Sequence, residues 1–357
     1  MWSRKSCAEG GFTVVELLVV VCIIGLVVSL LMPAIAKVRA ASESAKCMSN
    51  LRQIGQAMLV YVSENNGDLP GSPATSGYGW GLALPREEAA KGKGPPQAVE
   101  PYDYIGPLAH LMGVPLPPMN DRAERLRAYR KLDLFMCPSN QGMRAEILPV
   151  EPEDILACED VEPGQTLSYC TATAFMRSAG GVRPIGPLRF NSPRPPPPFV
   201  FIIPSDYRPN HYALKQPAYK IFLADSGRWS TSTMAPHFRL SYGARIDLTM
   251  FTDYGAWWKQ THAYDRTAAN SGSNRPPLDA RIYGYRHGTR SPFKPSGSYR
   301  MNALFFDGHV ESMDDMTSAH PKYWLPTGTS MTGAEYLIWD DVRREYGIPD
   351  EAEYVVP

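Results

Sequence analysis

A run of about 25 residues, Phe12 to Ala36, constrains this chain more than any other feature. From Leu17 to Met32 every residue is apolar except Gly25 and Ser29. At 1.5 Å per residue a helix of this length crosses a hydrocarbon core of about 30 Å. A cleaved secretory signal fits less well. Its apolar core spans about 7–15 residues and is followed by small residues, whereas here Gly10 and Gly11 precede the core. One residue breaks the pattern: Glu16 lies inside the run, where a carboxylate at mid-bilayer depth costs about 2.5–3.5 kcal/mol on the most lenient scale. Arg4 and Lys5 on one side, and Lys37, Arg39 and Lys46 on the other, leave the orientation open.

Behind this segment lies a body large enough for one large domain or two small ones, in a chain of 357 residues. The 36 basic and 36 acidic residues cancel, which argues against a nucleic-acid partner. With 34 prolines and 29 glycines the body reads as loop-rich and punctuated by turns.

The apolar helix is expected to continue past Pro33. Cys47, Leu51, Ile54, Met58 and Tyr61 recur at helical spacing and form one stripe, a core-packing face. Asn65-Asn66-Gly67 and Pro70 supply the stop signal. Ser168–Met176, Tyr219–Asp225 and Asn302–Met313 read as strands, with Asp307-Gly308 as a two-residue hairpin turn in the last. The Pro-rich stretch RPIGPLRFNSPRPPPPFVFIIP, with its run Pro195–Pro198, reads as an exposed insertion rather than sheet. Thr332-x-x-Glu335 is a capping-box pattern ahead of Leu337, Ile338 and Val342, predicting a short terminal helix. The economical arrangement is an α+β fold in which an antiparallel sheet packs on the long N-terminal helix.

The order of features at the N-terminus is more specific than the apolar run alone. A short leader with Arg4 and Lys5 is followed by Gly10-Gly11, then Phe12-Thr13-Val14-Val15-Glu16, then the apolar core. This resembles the prepilin signal of type IV pilins and type II secretion pseudopilins. The resemblance implies cleavage by a prepilin peptidase after Gly11, methylation of the new amino terminus at Phe12, and Glu16 as the assembly residue. In a filament that carboxylate would meet the Phe12 amine of a neighbouring subunit, since a buried charge is tolerable when paired. Pro33 sits where many of these helices carry a proline that bends or locally melts them. The implied organisation is a leader at 1–11, a membrane or filament-core half-helix at 12–36, an exposed half-helix at 37–66, and a β-rich pilin-like head at 67–357. The implied location is a single pass of the inner membrane with a periplasmic head, and a pilus, pseudopilus or cell surface after assembly. The implied partners are the peptidase and other pilin or pseudopilin subunits. The alternative, which the large Pro-rich head favours, is an anchored periplasmic or surface binding protein that uses the signal for export.

The stretch KCMSNLRQIGQAMLVYVSENNGDLP is similar to a pseudopilin-like family of planctomycetes and their relatives. Its members carry a central Cys-Pro-Ser and a late His…Asp-Gly element, here FMCPSN (Phe135 to Asn140) and His287 with Asp307-Gly308. The gap between His287 and Asp307 is nineteen residues, longer than is usual in that family, because material such as SPFKPSGSY is inserted.

Six cysteines are present; Cys7 would leave with the leader, and Cys22 reads as a small apolar residue of the membrane run. Cys47, Cys137, Cys158 and Cys170 then allow three full pairings in an oxidising compartment. The family-like segments favour Cys47–Cys137, leaving Cys158–Cys170; free buried thiols are the alternative. With no Cys-x-x-Cys, a zinc or redox motif has no support. His287, Asp307, His309 and Asp225 invite a metal reading, but Asp307 reads as a turn residue and His309 as the start of a return strand. No cofactor is expected; a metal held there with help from Asp314 and Asp315 would be calcium rather than zinc. No nucleophile elbow, phosphate loop or His-Glu-x-x-His occurs, so no enzyme is expected. Tyr254, Trp257 and Trp258 read as core aromatics rather than a sugar platform.

Overall fold

The computed structural model describes residues 13–72, 102–116, 128–129, 131–140, 144–148, 164–165, 167–176, 200–226, 237–239, 251–253, 255–258, 284–288, 300–350 and 352–357. Two compact units are present, Met1–Glu43 and Ser44–Pro357. The second unit includes residues 44–64 of the long helix. Gly11, Phe12, Cys158, Tyr254 and Pro195–Pro198 lie outside the described residues.

Helix α1 (Val14–Glu64) begins at a reciprocal cap. The Glu16 carboxylate accepts from the backbone N–H of Thr13 at 2.9 Å and from its hydroxyl at 2.8 Å, and Thr13 Oγ1 accepts from the Glu16 N–H at 3.3 Å. This is a capping box, which satisfies donors that a helix start otherwise leaves orphaned. The helix is unbroken across Pro33, although proline lacks the N–H that would close its turn. The large apolar side chains between Val14 and Val38 are exposed, and the segment is long and apolar enough to cross a membrane.

From Ser44 onward α1 contributes one face to the core. Cys47, Leu51, Ile54, Met58 and Val62 are buried, as are Asn50, Gly55 and Ala57, and Tyr61 is half-buried. The helix stops where expected. Asn66 (φ 52°) and Gly67 (φ 86°) turn left-handed, and the Gly67 N–H reaches back to the Val62 carbonyl at 2.7 Å.

The strands are β1 (Arg144–Leu148), β2 (Gly164–Gln165), β3 (Tyr169–Ala172), β4 (Val200–Ile202), β5 (Ile221–Asp225), β6 (His237–Arg239), β7 (Thr252–Asp253), β8 (Arg300–Phe305), β9 (Val310–Asp314), β10 (Ser330–Thr332) and β11 (Tyr354–Val355). The main sheet has the order β7-β3-β5-β8-β9; β3, β5, β8 and β9 are antiparallel, and β7 joins β3 in parallel. The fold is therefore α+β, a long N-terminal helix with an antiparallel sheet of four strands. β3 and β5 are buried along their whole length and so lack polar alternation, whereas the edge strand β9 is half-exposed. Two smaller sheets, β2-β1-β6 and β11-β10-β4, complete the strands among the described residues.

Three local expectations need correction. The β8–β9 turn has three residues, Phe306-Asp307-Gly308, not two: Phe305 O accepts from the Gly308 N–H at 3.0 Å, and the Phe305 N–H donates to His309 O at 2.9 Å. Gly308 (φ 91°) then takes the left-handed bulge position typical of three-residue hairpins. The end of the Pro-rich stretch is not all insertion, since β4 pairs with β10. Finally, Thr332 belongs to β10 rather than a cap; Gly333 (φ 69°) precedes the turn Ala334–Leu337, and Val342 lies in a separate helix, Asp340–Tyr346.

Candidate functional site

Asp225 ends β5 in full burial, and the sheet itself aims its carboxylate. β8 lies beside it with Ala224 opposite Ala303, so the Asn302 N–H donates to Asp225 Oδ2 at 2.7 Å. The Asn302 side chain, also buried, contacts Ser44 O and Oγ of α1 at 3.4 Å. One residue of β8 thus contacts both the carboxylate and the helix at Ser44.

Two thiols reach the same point. Cys47, on the buried stripe of α1, approaches Asp225 Oδ1 at 3.3 Å and Tyr169 Oη at 3.4 Å. Cys137 arrives from the Cys-Pro-Ser-Asn turn. Asn50, one helical turn beyond Cys47 on the same face, donates to the carbonyls of Asp133 (3.1 Å) and Met136 (3.2 Å). From the other side Asn140 Nδ2 donates to Ser168 Oγ at 3.0 Å, next to β3. The two asparagines clamp the turn between helix and sheet. The Cys-x-x-Asn spacing of Cys47 and Asn50 thus has a physical role that spacing alone does not reveal.

His287 completes the cluster. Its N–H donates to Arg300 O at 3.0 Å, tying it to the start of β8, and its imidazole is 1% exposed. Nε2 lies 3.1 Å from Asp225 Oδ2 and 3.5 Å from Cys137 Sγ, while Nδ1 is buried without a hydrogen-bond partner among the described residues. Arg286 places Nη1 3.5 Å from Asp225 Oδ1 and donates from Nη2 to Ser226 O. The ligand-type atoms of Cys47, Cys137, Asp225 and His287 all lie within 4.8 Å of one another.

Burial sets the electrostatics and neighbours divide it unequally. Burial pushes the Cys47 thiol well up, reinforced by Cys137 and Asp225. Cys137 is lowered to about 6, first by its hydrogen bond with Cys47 and then by His287 and Arg286, against burial and the Asp225 charge. Burial would lower His287 too, but Asp225, then Cys137, raise it to about 10. Asp225 falls below the ordinary carboxylate range: burial opposes this, and His287, Arg286 and the Asn302 N–H outweigh it. The charged forms of His287 and Asp225 thus favour one another, with Arg286 beside them.

A Cys–His–Asp assembly suggests nucleophilic catalysis, but the geometry does not provide it. A relay needs the two ring nitrogens to face different partners; here Nε2 faces both Cys137 and Asp225.

The remaining expected site residues lie elsewhere. Asp307 caps the hairpin turn through the His309 N–H (3.1 Å) and pairs with the His309 ring, away from His287. Asp314 accepts from the Thr317 N–H (2.7 Å) and hydroxyl (2.9 Å) as a helix cap, and Asp315 is buried. Gly308 is where hairpin meets helix: a Cβ there would lie 2.8 Å from Leu59 Cδ1, and one at Gly55 would lie 2.6 Å from Leu304 Cδ1. Cys47 and Cys137 are neighbours with no disulfide between them, and Cys170 is buried. Trp257 and Trp258 are core residues. Comparison of the chain with protein-family models, with curated proteins and with solved structures returned no match.

Proposed function

We propose that the protein is a membrane-inserted structural subunit of the prepilin type, cleaved after Gly11, methylated at Phe12, and assembled through the apolar half of α1 into a pilus or secretion pseudopilus. The observation that carries this reading is the apolar surface of α1 from Val14 to Val38, exposed on consecutive residues and hence all round the helix. A surface of that extent requires lipid or other subunits to cover it. The cap at Thr13 supports the cleavage position, because the capping residue is then the second residue of the mature chain and the helix begins at the third. On this reading the chain passes once through the inner membrane, the head is periplasmic, the partners are a prepilin peptidase and other subunits, and the role is structural rather than catalytic.

The capping box itself favours a second reading. Glu16 has a local partner in Thr13, so its presence in the apolar run does not require another subunit, and the protein could be a simple anchored head. Glu16→Gln separates the two. Gln serves a capping box as Glu does, but it cannot pair with a neighbouring amine, and breaking a buried pair from one side costs about 3–5 kcal/mol. The variant should be processed and inserted normally yet be missing from sheared filaments, with methylated Phe12 as the first residue by intact mass. Equal recovery of variant and wild type in the filament fraction leaves the anchor reading; a mature chain starting at Met1 removes the prepilin reading altogether.

A further inference from the structure

We infer that Cys47, Cys137, Asp225 and His287 form a closed tetrahedral site for Zn2+ that locks the helix of the head to its sheet. With Zn–S near 2.3 Å and Zn–N or Zn–O near 2.0–2.1 Å, tetrahedral angles put sulfur about 3.5 Å from nitrogen or oxygen, and nitrogen about 3.3 Å from oxygen. Two such edges are already in place, 3.5 Å from Cys137 Sγ to His287 Nε2 and 3.3 Å from Cys47 Sγ to Asp225 Oδ1, with Oδ1 as the carboxylate ligand; His287 Nε2 also lies 3.1 Å from the other oxygen, Oδ2.

Donor chemistry selects the ion. Two thiolates and an imidazole suit zinc and exclude the all-oxygen shell that calcium takes. Two thiolates and one carboxylate carry one negative charge more than Zn2+ neutralises, and the Arg286 guanidinium beside Asp225 supplies the balance. The outer shell is in place as well: the Asn302 N–H fixes one carboxylate oxygen, and Asn50 and Asn140 fix the turn that carries Cys137. Four protein ligands leave no open position for water, and the site is buried, so the role is structural. The ligands come from α1, the Cys-Pro-Ser turn, the end of β5 and the segment before β8, which no short sequence motif could have joined.

The test uses the full chain, purified in detergent. Elemental analysis should find about one zinc per chain. Cobalt exchanged into the site should show a thiolate-to-metal charge-transfer band together with tetrahedral ligand-field bands. Cys137→Ser and His287→Gln should each weaken cobalt binding by more than about 100-fold, above the range of outer-shell changes, whereas Cys170→Ser should bind normally. If those variants do not fold, the wild type still decides: zinc should protect Cys47 and Cys137 from alkylation until a chelator is added. A Cys47–Cys137 disulfide in non-reducing peptide maps of the native protein, or a cobalt spectrum without the thiolate band, overturns the inference. Neither result bears on the role of Glu16 or on membrane insertion.

Discussion

Replacing Gly308 with alanine should destabilise the head by two separable routes. Gly308 has φ 91°, and an L-residue held left-handed costs about 1–2 kcal/mol. The new methyl would also lie 2.8 Å from Leu59 Cδ1, and overpacking of this kind costs about 1–3 kcal/mol. The sum is about 2–5 kcal/mol. The atom it would strike is the end of a flexible side chain, so the second route can be removed by Leu59→Ala. In that background Gly308→Ala should cost only the backbone share, leaving a coupling of about 1–3 kcal/mol in a double-mutant cycle. Denaturant unfolding of the four detergent-solubilised proteins, followed by near-ultraviolet dichroism of the buried Trp257 and Trp324, measures every corner of the cycle. An equal cost in both backgrounds would refute the contact between helix and hairpin, and no cost in either would refute the left-handed turn.

Other expectations follow from the same structure. Asp225→Asn keeps the shape but removes the carboxylate from Arg286 and His287, and breaking a buried ion pair from one side should cost about 3–5 kcal/mol; a loss below about 1 kcal/mol in equilibrium unfolding would mean that the cluster does not depend on that charge. His320, lowered to about 4 by burial and then by Lys322 and Lys220, accepts from the Lys322 N–H at 3.0 Å. The unfolded chain therefore binds the extra proton first as pH falls: the stability is fully present above about 6.5 and is lost on the way down to about 4. The loss should be on the order of 2 kcal/mol, and His320→Asn, which keeps an acceptor, should flatten this limb of the pH–stability profile; an unchanged acid limb in the variant would rule the residue out as its source.

What could be read from sequence was whatever depends on neighbours along the chain. The stripe from Cys47 to Met58 emerged as the buried face of α1 because helical periodicity is a local property. Asn65-Asn66-Gly67 ended the helix because left-handed backbone needs residues that tolerate it. The β8–β9 hairpin was legible from Asp307-Gly308, although its turn is one residue longer than expected. Thr13-x-x-Glu16 is equally local, a capping box inside an apolar context that by itself points Glu16 toward another subunit.

The cluster was a different matter. The family-like segments point to Cys47 beside Cys137 and to His287 with Asp307, but nothing in the spacing joins Cys47, Cys137 and His287 to Asp225 or parts His287 from Asp307. Their meeting depends on the pairing of β5 with β8, which sets Asn302 against Asp225, and on Asn50 and Asn140 holding a turn between helix and sheet. Register and side-chain clamping act between segments far apart in the chain, and their energies are decided by packing rather than by local propensity. Sequence alone therefore determined the apolar helix, its stop and the hairpin; the tertiary structure alone decided which four ligand-type side chains share one buried point.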